Sequence, residues 1–97
     1  MNNINNYEKI FYQIVQDKDA QPPEDLIDSV NYALNFIDAE LRIALIDRYG
    51  LNSHKPHTYK QLAEEHNITF DVARGRCERG LRMMRKPQPY HVVKYGR

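Results

Sequence analysis

The chain has no tryptophan, a single cysteine and no apolar run approaching the length of a bilayer crossing. One cysteine, Cys77, excludes an internal disulfide and fits a reducing compartment. A membrane-spanning helix needs about 20 consecutive apolar residues, and none exists here. Residues 1–6, MNNINN, also lack the basic and apolar regions of a secretion signal. The expected location is therefore the cytoplasm, with no membrane partner. Without tryptophan, the core must come from Leu, Ile, Val, Met and the seven Tyr and three Phe. The 97 residues suit one domain with a single modest core. There is no internal repeat, low-complexity tract, phosphate-binding glycine loop or convincing carboxylate pair, so neither an enzyme nor a cofactor is expected.

What is present is charge, and it is segregated. The net charge is only +1. Residues 1–50 nevertheless hold four Lys and Arg against nine acids, a net of −5, while residues 51–97 hold ten against four, a net of +6. Such a chain offers a local positive field to a polyanion although its total is near neutral.

Helical periodicity accounts for most of the chain. Ile4, Tyr7, Phe11 and Ile14, with Ile10 and Val15 beside them, predict an amphipathic helix over about residues 5–17. Pro22 and Pro23 break it and suit the first turn of a second helix, about 23–35, with Leu26, Val30, Ala33, Leu34 and Ile37 inward. Asp38 is expected to cap a third helix, 39–49, which has Leu41, Ala44, Leu45 and Tyr49 on one stripe, flanked by Ile43 and Ile46. That helix reads as the most buried, and Gly50 ends it. The fold expected is all-α: a small helical domain closing in a helix-turn-helix (21–86), preceded by an extra N-terminal helix and linker (1–20) and followed by a short extended tail (87–97). The tail, YHVVKY after two prolines, is the only stretch that reads as a strand.

The helix-turn-helix lies in residues 58–86, TYKQLAEEHNITFDVARGRCERGLRMMRK. Thr58 and Thr69 can each cap a helix, and Asn67 tolerates the left-handed conformation that turns the chain between them. Projected at about 100° per residue, Ala73, Cys77, Gly80 and Met84 fall together, flanked by Leu81 and Phe70, and are expected to face the core. Arg74, Arg79, Arg82, Arg85 and Lys86 share another arc with Asp71 and Gly75. Groove-inserted helices read bases with their first turns. Phe70, Asp71, Arg74 and Gly75 are thus base-contact candidates, with Phe70 divided between packing and contact. Arg79, Arg82, Arg85 and Lys86 are candidates for phosphate or a protein partner. With Thr58 and Thr69 at the helix starts, these residues form the expected double-stranded-DNA site. The spacing of His54, His57, His66 and Cys77 fits no compact zinc finger, so no metal site is expected.

Residues 37–51, IDAELRIALIDRYGL, the polar loop after them, TYKQLAEEHNIT and the ending GLRMMR resemble in order and spacing region four of bacterial primary-type sigma factors. The likeness covers about residues 24–86. It implies a domain that reads the promoter −35 element with the start of its second helix and docks on the flap of the RNA polymerase β subunit. By position, Asp71 and Arg74 match base-contacting residues, and Phe70 stands where the family has a contacting arginine. Arg76 replaces an apolar residue and His66 a core aromatic. The flap-docking surface would come from residues 26–49. The family's promoter-melting region has no counterpart here. The resemblance thus implies a stand-alone regulator, acting with polymerase as a small phage or mobile-element protein or binding an operator by itself. The other class consistent with the sequence is a protein-interaction module that binds polymerase or another regulator without reading DNA. In that class the extra N-terminal helix is expected to cover a partner surface or mediate a homodimer.

Overall fold

The computed structural model describes residues 4–52 and 55–85. Among them there are five helices and no strand: α1 (Ile4–Val15), α2 (Leu26–Leu34), α3 (Ala39–Tyr49), α4 (Tyr59–His66) and α5 (Phe70–Arg85). The described residues are therefore all-α. The extended tail expected at 87–97 lies outside them.

Tyr7, Ile10, Phe11 and Ile14 form one buried stripe of α1, as their spacing predicts. The helix stops at Val15, short of residue 17, because Gln16 adopts a φ of 55°. Its amide still bonds Tyr12 O at 3.0 Å, which closes the last turn. α1 packs against α2, α3 and α5. Tyr7 Oη donates to Asn31 Oδ1 at 3.1 Å and Asn6 Nδ2 to Gly50 O at 3.3 Å. The buried stripe of α1 is thus packed within the chain.

α2 begins at Leu26 rather than at Pro23. Asp25 holds a non-helical conformation, φ −99° and ψ 46°, and accepts a hydrogen bond from the buried Ser29 Oγ at 3.1 Å. The prolines therefore precede a turn instead of opening the helix. Leu26, Val30, Ala33, Leu34 and Ile37 are all buried.

α3 starts after Asp38 and ends at Gly50, whose φ of 68° is left-handed. A side chain there would also collide with the loop, since a Cβ would lie 2.6 Å from Pro56 N. Leu41, Ala44 and Leu45 point inward, but Ile43 is 48% exposed, so α3 is not the most buried helix. Five of the nine residues of α2 are buried, against three of eleven in α3. Instead α3 is central, touching α1, α4 and α5 along one narrow stripe.

Candidate nucleic-acid interface

A complete capping box starts α4: Gln61 N donates to Thr58 Oγ1 at 3.1 Å, and Thr58 N donates to Gln61 Oε1 at 2.9 Å. Asn67, with a φ of 57°, ends it, and Ile68 N bonds back to Ala63 O at 2.9 Å. Thr69 Oγ1 then accepts from Val72 N at 3.2 Å and starts α5. Both threonine oxygens named as candidate contacts are thus occupied in fixing the two helix starts. They set the angle between α4 and α5 whatever else they touch.

The inner face of α5 is Ala73, Cys77, Gly80, Leu81 and Met84, all buried. Gly80 lies so close to α3 that a Cβ would meet Leu45 Cδ1 at 2.8 Å. Cys77 Sγ approaches Ala44 O at 3.8 Å, and burial pushes its thiol up to about 11, against the pull of the Arg48 charge. This thiol is packed in the core, where burial disfavours the thiolate.

Asp71, Arg74, Arg79, Arg82 and Arg85 are exposed on the outer side of α5, and Gly75 is half-buried with room for a side-chain methyl against Arg79. They do not form one uniform array. Arg74 is held between Asp71, at 3.7 Å, and Glu78, at 4.0 Å, so its guanidinium is aligned by acids on its own helix. Arg85 Nε donates to Gln13 O at 3.0 Å, satisfying a carbonyl at the end of α1. Arg85 thus ties α5 to α1 through its Nε, while the side chain as a whole stays exposed. Arg79 and Arg82 have no ion pair among the described residues. Lys86 lies outside them.

Phe70 does not flank the core as projected. It is 48% exposed. Its ring meets Tyr59 edge-on, with centroids 5.8 Å apart, and Arg74 Cζ lies 6.0 Å from it. Tyr59 is covered on its other side by Arg48, with Cζ 4.4 Å from the ring centroid. A ladder of Arg48, Tyr59, Phe70 and Arg74 therefore joins the end of α3 to the starts of α4 and α5. Periodicity had no signal for Arg48 or Tyr59, because their contacts cross three elements.

Arg76 and His66, both departures from the sigma-factor pattern, have partners. Arg76 Nη2 pairs with Glu40 Oε2 of α3 at 3.2 Å, and His66 Nε2 meets Asp47 Oδ2 at 2.7 Å. His57 Nε2 lies 3.1 Å from Glu65 Oε2. Burial alone would lower the His57 pKa, but the hydrogen bond and charge of Glu65, with Asp47 behind it, leave it raised above 6.5.

No protein-family model, curated protein or solved structure matches the chain.

Proposed function

We propose that the chain is a DNA-binding transcription regulator of the sigma region-four type. In this reading α4 and α5 form a helix-turn-helix, α5 enters the major groove of double-stranded DNA, and RNA polymerase is the partner docked elsewhere on the domain. The observation that carries the reading is the division of α5. One face is locked against α3 through Gly80 and Cys77, while the other presents Arg74, Arg79 and Arg82 around the open backbone at Gly75. Arginine can engage phosphate or, bidentately, the edge of guanine. Arg74, aligned by Asp71 and Glu78 in the first turns, is the base reader. Arg79 and Arg82 are phosphate contacts.

Selection from a random duplex library supplies the target for the test. Arg74→Ala is expected to lose about 1–3 kcal/mol on the selected site and relax discrimination at one base pair, whereas Arg82→Ala weakens selected and random duplexes alike. Equal loss on both duplexes for Arg74→Ala removes the base-reading role, and absence of any enriched sequence removes the reading altogether.

A second reading, a protein-interaction module that reads no DNA, is favoured by one observation. Tyr32 and Phe36 form an exposed edge-on pair, centroids 5.1 Å apart, at the end of α2, and Ile43 is exposed on α3. Exposed aromatics are enriched at protein interfaces.

A further inference from the structure

Away from the basic face of α5, the last turn of α3, the loop before α4 and the last turn of α4 bring together two imidazoles and two carboxylates. Asp47 Oδ2 and His66 Nε2 are 2.7 Å apart, and His57 Nε2 and Glu65 Oε2 are 3.1 Å apart. One donor atom from each of Asp47, Glu65 and His66 lies within 4.8 Å of the other two. We propose that Asp47, Glu65 and His66 form a binding site for a divalent transition-metal ion of the zinc class, with the fourth position taken by water.

The distances suit that chemistry. Zinc–nitrogen and zinc–oxygen bonds of about 2.0–2.2 Å place neighbouring ligands of a tetrahedral ion about 3.3 Å apart. The Asp47–His66 pair needs to open by roughly half an ångström, and the wider span closes by rotation of the Glu65 side chain, which is 62% exposed and exchanges its contact with His57 for the ion. A set of one imidazole nitrogen and two carboxylate oxygens favours zinc over calcium or magnesium, whose shells are built from six or more oxygens.

The backbone around the donors is held before any ion arrives. His57 N donates to Asp47 O at 3.2 Å, and Arg48 Nη1 donates to His57 O at 2.9 Å, fixing the loop against α3. Glu65 and His66 are consecutive on α4, whose end is set by the left-handed Asn67. A groove lined by Lys55, Pro56, His57, Gln61, Glu64 and Glu65 reaches the cluster at its Glu65 edge. An ion bound there bridges α3 and α4 and fixes the orientation of α4. The site rests on geometry alone and stands whether or not α5 binds DNA.

The test uses the full chain, stripped with chelator, titrated with zinc by calorimetry and with cobalt(II) by visible absorption. Expected are one-to-one binding, the ligand-field bands of tetrahedral cobalt without an intense thiolate band, and a rise in Tm of roughly 10 °C at a hundredfold excess over Kd. Glu65→Gln and His66→Gln should each weaken zinc by about tenfold or more. Because Glu65 is exposed, its variant keeps the fold, which circular dichroism checks. Three results each overturn the proposal: no saturable one-to-one binding at micromolar zinc, unchanged affinity in Glu65→Gln, or a thiolate band assigning the metal to Cys77.

Discussion

Two glycines on one helix have opposite roles, and the difference is one of free space. At Gly80 a Cβ would press on Leu45 at 2.8 Å, while at Gly75 it would meet only Arg79 Nη1 at 3.6 Å. Gly80→Ala is expected to destabilise the fold by about 1–3 kcal/mol through overpacking, in spite of the better helix propensity of alanine. Gly75→Ala should stabilise it by up to about 1 kcal/mol. Urea midpoints with an unchanged m-value would measure both. If Gly75→Ala gains stability yet weakens duplex binding, close approach of the α5 backbone to DNA is the physical explanation. Arg76 teaches a related lesson. An arginine replacing an apolar residue reads as an anomaly along the chain, but Glu40, 36 positions away, neutralises it across the α3–α5 contact.

At the scale of elements, the start of α4 is held by side chains that are neighbours in sequence. Both reciprocal bonds of the Thr58–Gln61 box are present, so Thr58→Ala should cost about 1 kcal/mol of stability, measured by thermal or urea unfolding. Any loss of duplex binding beyond that reports a misplaced α4 or a lost contact from the exposed Thr58 hydroxyl. Caps such as this are legible in a sequence because they need only a few residues at fixed spacing. The start of α2 was not, because it depends on Asp25 turning toward Ser29 instead of the prolines seeding a helix. The role of α1 was only half legible: its buried stripe follows from periodicity, but which helices that stripe packs against does not.

For the molecule as a whole, charge segregation is the property that bears on partners. Arg79 and Arg82 are the two proposed phosphate contacts of α5, and two such contacts imply a slope of log affinity against log salt near roughly −2. A titration of duplex binding from low to moderate salt checks this. A flat slope combined with tight binding to RNA polymerase selects the protein-interaction reading instead. Under the proposed DNA-binding function, the acidic first half would keep a duplex to the side formed by α5.

By itself the sequence determined the helix content, the positions of most caps and the inward stripes. These follow from period, cap chemistry and the conformational freedom of Gly50 and Asn67, all local properties. Only the tertiary structure decided which arginines are free, that Phe70 stands outside the core, and that Asp47, His57, Glu65 and His66 converge. Each of these depends on contacts between segments distant in the chain, where distance and burial are set by packing and no local spacing encodes them.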